Sequence, residues 1–317
     1  MTAYLLKRLI SLPLTLLGVS IVTFLFVRLI PGDAITARLG TSTVLTAEQL
    51  TRMRAFFGLD QPLHLQYLTW LGAILRGDAG FSVRSGQPVM AEIAGRLPVT
   101  IELAFAAAIV ALALGIPLGL VSALRPSGFL DIFARGFGLL GLALPNFWLG
   151  TLLILFFARY LHWMPNTGGY VELLADPAAN LRFLMFPALT LGLAMAAVVM
   201  RTSRSAMLDV LGTDYIRTAH AKGLTARSVV ERHALKNGLI VVITILGIQV
   251  GYLLGGAVVV EEVFSLPGLG RLLLNAISQR DYAVVQGGVL VIATLFVAAN
   301  TVVDVLYGFI DPRIRFT

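Results

Sequence analysis

Apolar residues in this chain neither alternate with polar ones at strand spacing nor keep to one face of a helix. They gather in runs that are apolar on every side. Six such runs stand out: Leu9–Val27, Pro98–Leu124, Ile132–Ala158, Phe183–Met200, Leu239–Val260 and Ala283–Phe309. Crossing a bilayer takes about 20 mainly apolar residues in a helix, and a helix apolar all round belongs in lipid or among other helices. The expectation is an all-α membrane protein with six transmembrane helices. Its segments are 1–30 with the first span, a helical segment 31–97, and a core 98–317 holding the other spans and a cytoplasmic loop 201–238. A signal peptide is the other reading of the first run, since Lys7 and Arg8 precede it. The run is longer than a usual signal core, however, and Pro31-Gly32-Asp33 is no clear cleavage site.

Segment 31–97 carries its own helix signals. Thr46-Ala-Glu-Gln49 is a capping box, with Leu45 and Leu50 placed as its hydrophobic staple, and it opens a helix expected to end at Gly58. A second helix is expected from Leu63 to Arg76, with Leu68, Leu71 and Leu75 on one face and Tyr67 and Trp70 beside them. Such a face packs on the spans, lies at the membrane interface or docks an outside partner.

Composition agrees with the pattern. The chain is 57% hydrophobic and 13% charged, with a mean hydropathy of +0.86, well above the roughly 45–50% apolar content of a soluble domain. The net charge of +7 fits either nucleic acid or a cytoplasmic bias of Lys and Arg. Placing the N-terminus in the cytoplasm puts 1–8, 124–135, 201–238 and 309–317 inside. These short segments are denser in Lys and Arg than the outside ones, and all three lysines, Lys7, Lys222 and Lys236, fall in them. Both termini are therefore expected in the cytoplasm. The absence of cysteine removes disulfides and thiol chemistry. His64, His162, His220 and His233 are too scattered for metal-ligand spacing, so no metal site is expected.

The spans hold few charges: Glu102 and Arg135 near span ends, and Asp304 toward the cytoplasmic end of the sixth. Ion-coupled carriers need ionisable residues at mid-membrane, which argues against a secondary transporter. Gly115-Ile-Pro117-Leu-Gly119 and Leu144-Pro145-Asn146 are expected to interrupt helix hydrogen bonding. Asn146, Gln249, Gln286 and Asn300 are the polar candidates for a translocation path, or else bond between helices. Glu261 and Glu262 are expected to open the last external loop, where Pro267-Gly268-Leu269-Gly270 turns sharply. There they are solvated, or meet an amine or a cation.

The most turn-punctuated segment, Asp214 to Gly238, lies between two apolar runs. Thr213 or Asp214 caps a helix running to Lys222, and Gly223 supplies a left-handed turn. Thr225 caps a second helix, with Leu224 and Val229 as its staple, and Gly238 marks the start of the fifth span. Ala219, Ala221 and Gly223 leave the first helix and its turn nearly bare of side chains. A DNA-reading element, a solvated basic loop and a docking element for a cytoplasmic protein all fit this pattern.

The residues here also carry a family likeness. Tyr215-Ile-Arg-Thr-Ala-His-Ala-Lys-Gly223-Leu, followed by Arg232-His-Ala-Leu-Lys-Asn237, resembles the coupling-loop signature of bacterial ATP-binding-cassette importer permeases. The likeness is to their dipeptide, oligopeptide and nickel branch, and within it to the first, B-type permease subunit. In the wider superfamily the signature begins Glu-Ala-Ala. Here Arg217-Thr218-Ala219 stands in that place, with Gly223 at the matching distance. Pro31-Gly32-Asp33, Leu59-Asp-Gln-Pro-Leu63, Gly77-Asp-Ala-Gly-Phe-Ser82, Arg96-Leu-Pro-Val-Thr-Ile-Glu-Leu103, Glu262-Val-Phe-Ser-Leu-Pro-Gly-Leu-Gly-Arg271, Arg280-Asp-Tyr282 and Asp311-Pro-Arg-Ile-Arg315 resemble the same family in the same order.

The resemblance implies the six-helix permease fold of a type I importer. It also implies a homologous second permease subunit, two ATP-binding subunits in the cytoplasm and an extracytoplasmic solute-binding protein, with lipid around the spans and no nucleic acid. Asp214, Tyr215, Arg217, Thr218, Ala219, His220, Ala221, Lys222, Gly223 and Leu224 are then expected to couple to the ATPase. No GxxxxGK[ST] phosphate loop occurs in the chain. The resemblance also implies a place in a bacterial inner membrane, with no catalytic site and no cofactor on this chain; ATP and Mg belong to the partner subunits. The expected cargo is a small peptide, with nickel, glutathione or an oligosaccharide as alternatives within the family.

Overall fold

The computed structural model describes residues 2–29, 46, 48–49, 51–52, 60–163 and 169–310. In chain order the helices are α1 (Thr2–Leu29), α2 (Leu63–Leu75), α3 (Val89–Leu124), α4 (Phe129–Ala143), α5 (Asn146–Phe156, prolonged by a π turn Phe157–Leu161), α6 (Pro177–Leu211), α7 (Asp214–Ala221), α8 (Ala226–Val229, prolonged by a π turn Val230–Ala234), α9 (Leu235–Val263), α10 (Leu269–Ser278) and α11 (Tyr282–Ile310). The described residues hold no β-strand, only an isolated bridge between Phe81 and Pro88. Among the described residues, four helices, α1, α3, α6 and α11, are long and apolar enough to cross a membrane, and the pair α4–α5 makes up to five if counted as one bent span.

The expected spans fall on these helices, with differences that have local causes. α6 outgrows the expected Phe183–Met200 because Asp176 caps it, its side chain accepting from Ala178 N and Ala179 N at 3.0 Å, with Pro177 at the first helical position. α3 begins at Val89, ahead of the expected Pro98, and runs unbroken through Gly115-Ile-Pro117-Leu-Gly119, so the expected interruption there is absent. Those glycines instead admit a neighbour. A Cβ on Gly119 would stand 2.6 Å from Met200 O and 2.6 Å from Ser203 Cβ of α6, the close backbone approach that small residues allow between membrane helices. The third expected span is not one straight helix. Pro145 cannot donate to Gly141 O, and Leu144 and Pro145 are extended (ψ 126° and 137°), so α4 and the α5 pair meet at 105°. α9 covers the expected fifth span and α11 the sixth.

The described chain forms two compact units, 1–98 with 267–297, and 99–266 with 298–317. In the first, Ala79, Val89, Ile93, Leu269, Ala276 and Val284 make the core. Its loop 76–88 is tied down by one buried carboxylate. Asp281 Oδ2 accepts from Ser82 Oγ at 2.6 Å and Val83 N at 3.1 Å, while Oδ1 faces Val284 N at 3.4 Å in the first turn of α11. In the second unit α6 is central, with 72% of its most apolar window buried, and α3, α4, α5 and α9 pack around it.

The capping box is present: Thr46 N donates to Gln49 Oε1 at 2.9 Å and Gln49 N to Thr46 Oγ1 at 3.3 Å. Its staple residues Leu45 and Leu50 and the end at Gly58 lie outside the described residues. α2 matches the second expected helix to within one residue.

Candidate functional site

Two features of the second unit bring candidate residues together. The first is the turn that α6 delivers beyond its apolar stretch. α6 ends at Leu211, Gly212 closes it, and α7 begins at Asp214 after Thr213. Thr213 does not cap α7 through its side chain; its Oγ1 donates back to Val210 O at 2.6 Å. α7 ends in the arrangement expected of a glycine stop. Gly223 N donates to His220 O at 2.9 Å, Leu224 N to Ala219 O at 3.4 Å, and Gly223 has φ +79°. Thr225 caps α8, accepting from Ser228 N at 3.4 Å.

α7 is pinned from beneath. Ile216 and Ala219 are buried with Ala123, Met207, Val229 and Ala234 in one apolar cluster, so the inner face of α7 sits on the ends of α3 and α6 and on α8. Tyr215 Oη ties it sideways, accepting from Asn237 Nδ2 at 2.8 Å and donating to His233 O at 3.3 Å. Asp214 and Arg217 pair at 3.2 Å in the open, and Arg227 pairs with Glu231 at 2.8 Å, which holds the Arg227 guanidinium above its ordinary pKa. Asp214, Arg217, Thr218, His220, Ala221, Lys222, Gly223 and Leu224 then form a continuous exposed rim, with Tyr215 exposed beside them. Nothing lies within 4 Å of the Cβ position of Gly223.

Three expectations are corrected here. Ala219 belongs to the buried platform, not to the bare outer surface. The second helix is not separate from the fifth span, because α8 passes through the π turn Val230–Ala234 directly into α9. Gly238 therefore lies within α9, where its Cβ position is 2.6 Å from Met207 Sδ, and it serves close packing rather than a boundary.

The second feature is a cavity of about 330 Å³ at the α4–α5 bend. Leu144, Pro145 and Asn146 line it with Met195 of α6 and Gln249 and Leu253 of α9. The bend removes the donor for Gly141 O, and Gly141 also lines the cavity. Two of the four polar path candidates, Asn146 and Gln249, thus share one wall. Gln286 does not join them: it is 7% exposed within the first unit, and its Nε2 has no hydrogen-bond partner. Asn300, on α11, is not part of this lining.

Several polar contacts near the span ends were not foreseen. Asp131 of α4 accepts from Arg204 Nε at 2.8 Å and from Ser127 N at 2.9 Å, with Ser122 Oγ on the same carboxylate. The i, i+4 pair Asp131–Arg135 was the local signal available for it. Glu102 accepts from Asn180 Nδ2 at 2.8 Å and Tyr170 Oη at 3.0 Å. Burial, with Glu102 second, pushes the Tyr170 phenol up to about 12. The acidic pair also divides. α9 continues through it, so Glu262 is exposed while Glu261 is fully buried and accepts from Thr100 Oγ1 at 2.7 Å; Glu261 is not a solvated loop residue.

Comparison with known proteins follows the same lines. Residues 115–316 match the family model of binding-protein-dependent transport system inner membrane components, and residues 1–104 match the N-terminal model of such membrane components. The chain is 39% identical over 337 residues to the dipeptide transport system permease protein DppB of Escherichia coli K12, covering 99% of each. It is 43% identical over 316 residues to a putative peptide transport system permease protein of Brucella abortus strain 2308, covering 100% of each. It is 42% identical over 337 residues to the di/tripeptide transport system permease protein DppB of Pseudomonas aeruginosa UCBPP-PA14, covering 99% of each. Among solved structures, the MetNI methionine ABC transporter in its inward-facing conformations aligns with a TM-score of 0.55 at 16% identity, over 71% of this chain and 99% of that one. At that identity the match speaks for the fold alone.

Proposed function

Because the chain belongs to the family of binding-protein-dependent transport system inner membrane components, we propose that it is one permease subunit of an ATP-driven importer of small peptides. The relatives named for dipeptide and di/tripeptide transport support the cargo. The translocation path is shared with a homologous second permease, and an extracytoplasmic binding protein delivers the peptide. Both termini and 201–238 face the cytoplasm, and 31–97 faces outside. Two ATPase subunits hold ATP and Mg, and the chain itself carries out no chemistry.

One observation carries the coupling role. The rim Asp214–Leu224 is exposed at its outer side, pinned on its inner side by Ile216 and Ala219, and leaves open space over Gly223. A surface that is rigid from behind and open in front can seat in a groove of a partner and pass on its displacement. The receiving elements are continuous: α6 enters the rim, and α8 leaves it as the start of α9. Asn146 and Gln249 on the cavity wall are the part of the path such a displacement reaches through α9. Gln286 and Asn300 remain candidates for the path on α11.

The test is Gly223→Trp in the assembled transporter. The bulky ring meets no atom of this chain near the Cβ, and the left-handed φ of +79° costs any non-glycine residue about 1 kcal/mol, a cost that Gly223→Ala carries by itself; the Trp subunit should still insert and join the second permease as the Ala subunit does. Binding of the ATPase subunits and peptide uptake should both fall at least tenfold, equivalent to about 1.4 kcal/mol. Uptake at the normal rate with ATPase subunits fully bound would remove the coupling role from this rim.

A further inference from the structure

α2 reads LHLQYLTWLGAIL, without one Asp, Glu, Lys or Arg, and none of its residues is buried. Leu65, Leu68 and Leu75 are 44%, 60% and 79% exposed and share one apolar stripe; the Arg76 guanidinium, just beyond the helix, reaches back to 3.8 Å from the Cβ position of Gly72 between them. What covers that stripe follows from how α2 is held against α1.

Three sets of contacts fix the level of α2 along α1. Arg28 Nε and Nη2 donate to Gln66 Oε1 at 3.1 Å. Tyr67 and Trp70 flank the ring of Phe24, with centroids 5.2 and 5.6 Å away. Tyr67 Oη and Ser20 Oγ are 2.7 Å apart. Arg28 sits in the last turn of the apolar run Leu12–Leu29. Its guanidinium lies 3.4 Å from the centroid of Phe24 and donates to Phe24 O, the posture of a long basic side chain at the edge of hydrocarbon. Phe24 is one turn inside that edge, about 6 Å, and Ser20 two turns inside, about 12 Å. A helix resting above the headgroups has no side chain that reaches Ser20 while its neighbours stack on Phe24.

We propose that α2 is immersed in the leaflet at the Arg28 end of α1, with its Leu65–Leu68–Leu75 stripe covered by lipid acyl chains rather than by a partner protein. The absence of charge on α2 removes the penalty that would keep it out, and Tyr67 and Trp70 supply amphipathic rings suited to this depth. This goes beyond the import reading and rests only on α1 being a span.

The chain has no cysteine, so Leu68→Cys and Leu75→Cys can each carry a nitroxide in the complete transporter in phosphatidylcholine vesicles, with Ser85→Cys as the aqueous reference. Collision with oxygen, relative to a water-soluble nickel chelate, should be several-fold favoured at both leucine positions and disfavoured at Ser85. Nickel access at Leu68 equal to that at Ser85 would place the stripe in water and overturn the proposal. Exclusion of both reagents would mean a protein surface covers it, and would overturn the proposal as well. The two leucines are independent carriers, since Leu75 ends the helix and tolerates a label even where Leu68 does not.

Discussion

Arg204 Nε of α6 lies 2.8 Å from Asp131 Oδ1 of α4, and the carboxylate it reaches has only 2% of its side chain exposed. Arg135 approaches the same carboxylate at 3.4 Å but is 56% exposed. Removing one member of a buried pair leaves an uncompensated charge, whereas an exposed pair contributes little. Asp131→Ala and Arg204→Ala should each destabilise by about 3 kcal/mol, and Arg135→Ala by less than about 1 kcal/mol. Thermal denaturation of the detergent-solubilised protein reads the difference. The Asp131→Ala/Arg204→Ala double variant should lose less than the sum of the two; full additivity would show that the pair is not coupled.

Gly119 and Gly136 separate close packing from helix propensity. Both are helical, but a Cβ at Gly119 meets backbone oxygen at 2.6 Å, while one at Gly136 meets nothing within 4 Å. Gly119→Ala should cost about 1–3 kcal/mol through overpacking. Gly136→Ala should be neutral or slightly stabilising, because alanine is the better helix former. The same thermal assay checks both, and equal melting would remove the close approach of α3 and α6.

Sidedness is testable with single cysteines. Ser85→Cys should react with an impermeant thiol reagent applied to the outer face of intact cells or spheroplasts. Arg227→Cys, at a side chain 87% exposed, should react only after the inner face is opened. The reverse pattern would invert the assigned orientation.

ATP hydrolysis should be absent from the purified chain and appear only when the ATPase subunits are added, since the sequence has no phosphate loop. Malachite-green phosphate release from a preparation shown by mass spectrometry to contain this polypeptide alone is the check. Turnover in that preparation would contradict the assignment.

The spans were legible because all-round apolarity over a membrane's width leaves little choice of structure, and the Gly223 turn because a left-handed stop has few alternatives. Pro145 announced an interruption, but not that α4 and α5 would meet at 105°. Gly115, Pro117 and Gly119 gave the same local signal and produced no break; α3 runs on through them, with α6 packed against the two glycines. Polar pairings were the least legible. Ser82 and Asp281 are 199 residues apart, and no local period connects them. Glu261 looked like loop because it precedes a turn, yet Thr100 supplies a partner that lets it stay inside a helix.

The π turn Val230–Ala234 sets the phase between the exposed rim and the cavity wall. A π turn holds one residue more than the α-helix it interrupts, and each residue of an α-helix advances the side-chain direction by about 100°. The azimuth of Gln249 relative to α8 is therefore fixed by a single residue of excess winding. Were the π turn to tighten into α-helix and pass its extra residue along α9, Gln249 and Leu253 would swing away from the cavity without any change in sequence or in rim contacts. The joint between rim and span is thus one of register, set by how many residues that turn contains.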